Sequence, residues 1–289
     1  MEEERNSIKI LPLLILMIIP VSFDKSAALY YLLTFFLSLT ISISSFYLKF
    51  LNLKGAAAIF LLAIIIFGLG GLNWTIPILV FFIFSSLLSE IKRKSIRISG
   101  KQLEKHSPRN HLQVFANGGF GGILVIINYF FPSQLFYICF VSSIAAVCAD
   151  TWSTEIGTIA KTKTVDILSF KIVEQGISGG ISIAGTMAGA IGAAAVALSA
   201  VFWLNVKNFY YIIFIIFAGT IGNFSDSILG SAVQAKYKCS VCSEIIEKPF
   251  HCGRSAVLIK GFSWINNDVV NFATAVIGGL FGFLFIEIF

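Results

Sequence analysis

The chain is expected to be all-α: a polytopic bundle of about nine membrane-spanning helices with its N-terminus in the cytoplasm. Three observations predict this. Of the 289 residues, 57% are hydrophobic and only 12% are charged, about half the charged share of a soluble domain. The mean hydropathy is +0.88. The apolar residues also fall into runs near bilayer length, and short segments between those runs hold almost every Lys and Arg.

A spanning helix needs about 20 apolar residues. Runs that qualify lie at 8–22, 27–48, 55–71, 73–89, 113–131, 134–152, 177–203, 208–233 and 265–288. The first is short and holds Pro12 and Pro20, so a tilted or re-entrant segment is its other reading. It follows Met1-Glu-Glu-Glu-Arg5, which lacks the basic start of a cleaved leader. The next three runs carry no charged residue, and of the later ones 134–152, 208–233 and 265–288 carry isolated acids.

With nine spans, one side of the membrane receives the N-terminus and segments 49–54, 90–112, 153–176 and 234–264. These hold 19 of the 21 Lys and Arg residues, and the other side keeps Lys25 and Lys207. The positive-inside rule makes the first side cytoplasmic. The whole chain, 1–289, then reads as one integral membrane domain carrying a cytoplasmic Cys-rich loop at 234–264. The net charge of +6 follows this topology rather than forming a basic face, so nucleic acid is not expected as a partner.

An acid in hydrocarbon costs about 2.5–3.5 kcal/mol even on the lenient insertion scale, so it marks a functional site by default. Run 134–152 ends in Ala149-Asp-Thr-Trp-Ser-Thr-Glu-Ile-Gly157, where Asp150 and Thr154 share one helical face and Thr151 and Glu155 the next. Carboxylates and hydroxyls in this array suit Mg²⁺, which is typically held by one or two carboxylates and substrate phosphates. A polar helix end with Trp152 as an interfacial anchor is the bland alternative. Run 208–233 carries Asn223, Asp226, Ser227 and Gly230 at three- and four-residue steps. A close-packing stripe explains the small residues there but not Asp226. Run 265–288 opens with Asn266-Asn267-Asp268 and Asn271, where capping competes with a site role. All three clusters reach the cytoplasmic side.

Gly176-Ile-Ser178-Gly179-Gly180-Ile-Ser182 is expected to open the helix of run 177–203 and to present backbone N–H groups to phosphate. No Gly-Lys-Ser/Thr follows, so it is not a Walker loop. Gly185 and Gly189 further along read as helix packing. Segment 90–113 is basic for reasons of topology and lipid headgroups, but Arg109, Asn110 and Gln113 lie at the mouth of the next span. Arg109 suits a phosphate clamp. Asn117 is expected to reach the site, with the glycines at 118–122 allowing close helix approach.

Cys139 and Cys148 read as small apolar fillers. Cys239-x2-Cys242 with His251-Cys252 has zinc-knuckle spacing, so a structural Zn²⁺ is expected in that loop, although adjacent His251 and Cys252 are awkward as joint ligands.

Set together, Arg109-Asn-x2-Gln113-x3-Asn117, Asp150-Thr-x3-Glu155-Ile-Gly, Gly176-Ile-Ser-Gly-Gly, Gly222-Asn-x2-Asp226 and Asn266-Asn-Asp-x2-Asn271 resemble the transmembrane protein 19 family. That integral membrane family is also filed as domain of unknown function 92. The resemblance covers nearly the whole chain and is strongest over 105–275. The family's characterised plant members are phytyl-phosphate kinases. More distantly, the Ala149-Asp-x6-Gly157 segment is similar to CTP-dependent phytol and dolichol kinases and to CDP-diacylglycerol synthases.

The resemblance implies phosphoryl transfer from a nucleoside triphosphate, CTP being favoured, to an isoprenyl or phytyl monophosphate. Asp150, Glu155 and Asp226 would hold Mg²⁺, with Asp268 completing the catalytic acids. Arg109, Asn110, Gln113, Asn117, Ser178, Gly179, Gly180, Ser182, Asn223, Asn267 and Asn271 would bind nucleotide and acceptor. By the charge bias the active site would face the cytoplasm, and in a prokaryote the membrane would be the plasma membrane. A lipid-phosphate cytidylyltransferase and an ion-coupled transporter are the alternatives.

Overall fold

The computed structural model describes residues 28–98, 108–160, 162–204 and 210–288. The chain is a polytopic helical membrane protein. Its helices are α1 (Ala28–Tyr47), α2 (Leu53–Ile65, extended by a π turn Ile66–Gly70), α3 (Leu72–Ile98), α4 (His111–Phe130), α5 (Gln134–Ile159), α6 (Ile183–Ser199), α7 (Tyr210–Ala232) and α8 (Asn267–Ile288). Among the described residues, seven helices are long and apolar enough to cross a membrane. The eighth, α6, has 17 residues, about 26 Å of helix. The run expected at 8–22 lies outside the described residues.

Local chemistry sets the helix starts. Asn52 Oδ1 accepts from Gly55 N at 2.8 Å ahead of α2. Asn110 and Gln113 form a reciprocal capping box on α4, each bond 3.1 Å, which satisfies two otherwise orphan donors. Ser182 Oγ accepts from Gly185 N at 3.2 Å and starts α6. The expected span 177–203 is therefore cut short at its N-terminal end. Residues 176–182 are not helical, because Gly176 and Gly179 take positive φ of 88° and 89°. This segment instead pairs as a short antiparallel ladder, β1 (Val165–Asp166) with β2 (Gly180–Ile181).

Helix α5 is the axis of the bundle and packs against α3, α4, α6, α7 and α8. Its small residues let the neighbours approach: a Cβ added at Gly222 of α7 or Gly278 of α8 would lie 2.4 Å from Ala146 Cβ. The Gly185 and Gly189 face of α6 lies on the backbone carbonyls of Ser153 and Ala149 in the same way. Such small-residue faces are the usual means of helix association in lipid. In α4, Gly118 and Gly122 receive Leu62 of α2. Large apolar side chains such as Leu32, Phe36 and Ile43 stay exposed on α1, as a lipid-facing surface requires.

Between α7 and α8 the Cys-rich segment folds as small β elements. A three-stranded antiparallel sheet has the order β4 (Ile245–Ile246), β3 (Lys236–Lys238), β7 (Val257–Lys260), and β5 (Phe250–His251) pairs with β6 (Arg254–Ser255).

Candidate active site

Five helices bring their polar ends to one end of the bundle, around a cavity of about 330 Å³. From α3 comes Lys92, and Arg109, Gln113 and Asn117 come from the start of α4. The last three turns of α5 supply Asp150, Thr151, Thr154 and Glu155. Asn223, Asp226 and Ser227 come from α7, and Asn267 and Asn271 from α8. The remaining wall is the non-helical segment Gly176–Gly180 with Ser182.

At the centre, the carboxyl groups of Asp150 and Asp226 come within hydrogen-bonding reach of each other. Thr274 Oγ1 donates to Asp226 Oδ1 at 3.1 Å. With its amide oriented to satisfy both ends, Asn271 also donates to Asp226 Oδ1, at 3.3 Å. Asn223 is buried, and its amide rests on the Gly189 face of α6.

The lining carries four acids (Asp150, Glu155, Asp226, Glu247) and two bases (Lys92, Arg109), an excess of two acidic groups by 4 − 2. Glu155 is already engaged. Its Oε2 lies 3.2 Å from Lys92 Nζ, and its Oε1 accepts from Ser89 Oγ at 2.7 Å. Arg109 Nη2 in turn donates to Ser89 Oγ at 3.3 Å. Glu155 thus anchors the basic wall, which leaves Asp150 and Asp226 as the acids open to a cation. The Arg109 backbone is clamped from the other side: its N–H donates to Phe50 O, and its carbonyl accepts from Asn52 N, both at 3.0 Å.

Two residues expected at the site stand apart from this cavity. Asn110 is spent on capping α4. Asp268 points instead into an open, mostly apolar groove lined by Leu112, Phe115 and Phe272. Successive helical residues are about 100° apart, so with Asn267 facing the cavity Asp268 turns away. Gly230 lies just behind the wall, where its own Cβ would meet Gly179 N at 3.0 Å.

The opposite side of Arg109 opens on a second, narrow apolar cavity of about 60 Å³. Ile59, Leu62, Ile78, Phe81 and Phe82 line it, and it shares Arg109, Gln113 and Asn117 with the polar one.

Several contributors carry no sequence signal of their own. Glu247, from the Cys-rich loop, reaches across to the Gly176–Gly180 wall: Ser178 N donates to its Oε1 at 3.1 Å, and Ser178 Oγ donates to the same oxygen. Lys236 Nζ donates to Ser178 O at 2.8 Å and Gln234 Nε2 to Ser178 Oγ at 2.9 Å. Burial and the neighbouring Lys260 lower the Lys236 pKa, against Glu247 and Asp166, which raise it. Beneath the wall, Asp166 accepts from Ser231 Oγ at 2.6 Å and from the Leu168 and Ser169 amides at 3.2 and 2.8 Å. Burial alone would raise its pKa, but the hydrogen bonds, Ser231 first, hold it at about 2. A signal for Thr274 did exist, since it continues the Asn267 and Asn271 stripe at helical spacing.

The Cys/His cluster can hold a metal. One ligand atom from each of Cys239, Cys242, His251 and Cys252 lies within 4.8 Å of the others. Tetrahedral zinc places its ligand atoms about 3.3–3.8 Å apart, so the set needs only a small contraction. Adjacent His251 and Cys252 both reach the centre because Cys252 takes a φ of 50°. The Cys242 amide, then His251 and the Val241 amide, pull Cys239 down to about 6. Burial and then the neighbouring thiols push Cys252 up to about 11.

The family described as Integral membrane protein DUF92 matches residues 36–279. The chain belongs to this family. Among DUF92-related proteins, Protein PGR of Arabidopsis thaliana is 28% identical over 265 residues, 83% of this chain and 91% of that protein. Uncharacterized membrane protein MJ0933 of Methanocaldococcus jannaschii is 30% identical over 221 residues, 74% of this chain and 76% of the relative. Protein VTE6, chloroplastic, of Arabidopsis thaliana is 26% identical over 239 residues, 81% of this chain and 65% of that protein. No solved structure matches the chain.

Proposed function

We propose that this DUF92 protein is a membrane lipid-phosphate kinase. It would move the γ-phosphoryl group of a nucleoside triphosphate, CTP being favoured, to an isoprenyl monophosphate. The observation that carries the reading is one polar cavity that joins a carboxylate pair, a half-buried arginine and a glycine-rich wall, and that shares three residues with an apolar cavity. The resemblance to the transmembrane protein 19 family, with its phytyl-phosphate kinases, supports the same class.

Phosphoryl transfer is mainly positioning and charge neutralisation. An acceptor phosphate oxygen attacks the γ-phosphorus, the bond from that phosphorus to the β–γ bridging oxygen breaks, and the nucleoside diphosphate leaves with the bond's electron pair. An ionised phosphate needs no base to remove a proton. With four acids against two bases in its lining, the cavity would not attract phosphates on its own. Magnesium, which prefers anionic oxygen ligands, would supply the neutralising charge when held by Asp150 and Asp226. Arg109, fixed by Ser89 and by its own clamped backbone, would grip the acceptor phosphate between the two cavities. The wall at Ser178–Gly180 with Ser182 would border the nucleotide phosphates rather than cradle them with its N–H groups, since those of Ser178 and Gly180 already donate to Glu247 and Ile177. Asn223, Asn267 and Asn271 would orient groups around the acid pair.

The narrow apolar cavity suits the head-proximal part of a single chain rather than a paired-chain lipid. The distribution of 19 of the 21 Lys and Arg residues supports a cytoplasmic site. The Cys/His cluster would carry a structural zinc.

Doubly labelled CTP tests the class. Transfer of γ-label to a prenyl phosphate supports the kinase. Transfer of cytidine label means a cytidylyltransferase, and ion flux in proteoliposomes without either transfer means a transporter.

A further inference from the structure

We propose that the Cys/His cluster controls the shape of the cavity, and that Glu247 is the positioning residue that transmits the control. The inference rests on the cluster holding a metal, not on the kinase reading.

The covalent layout gives the reason. Cys239 and Cys242 sit at the turn joining β3 to β4, while His251 and Cys252 sit in the β5–β6 hairpin. A metal held by all four ties the two turns together. Glu247 lies between them, five residues after Cys242 and four before His251. Such a tie fixes both ends of the segment that carries it. The connecting strand β4 is only two residues long, and most of segment 241–250 is exposed. Apart from the two-residue pairings of β4 with β3 and of β5 with β6, the tie is what holds this segment in place, as in other loops too small for a core of their own.

The far end of the link is equally specific. Glu247 accepts from both the amide and the hydroxyl of Ser178, 69 residues earlier. That serine is also the acceptor for Gln234 and Lys236, which lie just before the first turn of the same loop. Every side chain bonded to Ser178 thus comes from the segment that carries the cluster or from its root. Ser178 is followed by Gly179, whose carbonyl accepts from Ile167 N at 2.9 Å. The wall therefore has Glu247 on one side and the β1–β2 ladder on the other. With the metal removed, Glu247 is released, Ser178 loses its charged acceptor, and the wall opens on that side.

Amide hydrogen exchange on the purified full chain tests this, with zinc measured in the same samples. In wild type, chelation should speed exchange of Ser178 and Gly180 by about tenfold or more, the weight of one hydrogen bond to a charged group. Glu247→Ala should give the same acceleration with zinc content unchanged, and Glu247→Gln, which keeps an acceptor oxygen, should restore most of the protection. Lys248→Ala, at an exposed neighbour, should change nothing. Unchanged exchange at 176–180 on metal removal overturns the coupling, as does a protein that never binds zinc. Full protection in Glu247→Ala overturns the role of Glu247. Chelation of wild type keeps the test decisive if a variant fails to fold.

Discussion

Replacing Gly179 by alanine should open the cavity wall, and replacing Gly176 should not. Both glycines have φ near +90°, 88° at Gly176 and 89° at Gly179, which strains any L side chain by about 1–2 kcal/mol. Their surroundings differ. A Cβ at Gly176 meets nothing within 4 Å, whereas one at Gly179 would lie 2.6 Å from Ser231 Cβ and 2.8 Å from Ser231 Cα and N. Those last two are helix backbone and cannot rotate away. Overpacking of this kind adds about 1–3 kcal/mol. Gly179→Ala should therefore lose about 2–5 kcal/mol of local stability against about 1–2 for Gly176→Ala, and each 1.4 kcal/mol is a factor of ten. The assay is amide exchange at 176–182 in both variants, with nucleotide affinity measured alongside. The reasoning is refuted if Gly179→Ala exchanges and binds like Gly176→Ala, because the whole difference is assigned to the Ser231 clash.

Three further outcomes are expected. With single cysteines introduced at Ser133 and Ser169, both exposed, an impermeant maleimide should label only position 133 in intact cells; labelling at 169 would reverse the proposed orientation. Glu155→Gln should strand Lys92, whose side chain is 11% exposed and paired at 3.2 Å, and destabilise the detergent-solubilised protein by about 3–5 kcal/mol. The double variant Lys92→Met, Glu155→Gln should recover most of that loss in thermal unfolding, and an additive loss would contradict a buried pair. Asp166, held at about 2, has a folded pKa below the usual value of about 3.9. Its contribution is thus fully present above about pH 4 and fades as pH falls through 2. Limited proteolysis of segment 162–182 should show this acid sensitivity in wild type and not in Asp166→Asn.

The site was legible where polarity is an exception. Asp150, Asp226, Asn223 and Asn271 stand out because each interrupts an apolar helix, and their three- and four-residue steps declare a shared face. Packing was legible for a similar reason: Gly185 and Gly189 lie on α5 as small-residue spacing suggests. The Gly176–Ser182 segment was recognisable as unusual but was read as helical, since the sequence does not announce that Gly176 and Gly179 take positive φ. Asn267 and Asp268 are adjacent and chemically alike in a linear reading, and only helix phase sends one to the cavity and the other to the apolar groove. Lys92 is hidden among Arg93 and Lys94 until α3 turns it inward to meet Glu155. Glu247 could not be found at all. It is one polar residue in a polar loop, and its importance arises from a contact across 69 residues set by short strands.

The central claim is that Asp150 and Asp226 form the cation site of a phosphotransferase. It is tested most directly by transfer of label from γ-labelled CTP to prenyl phosphates of several chain lengths, in wild type, Asp150→Asn and Asp226→Asn, with Mg²⁺ varied. An amide keeps the shape of the carboxyl group but not its charge, and Mg²⁺ requires anionic oxygens. Wild type should transfer label in a Mg²⁺-dependent way, and both variants should lose most of that activity while remaining folded and inserted. Glu90→Gln, at a surface pair with Arg93, should behave as wild type. Full activity in both Asp variants, or no nucleotide-dependent transfer by wild type to any prenyl phosphate, would contradict the account.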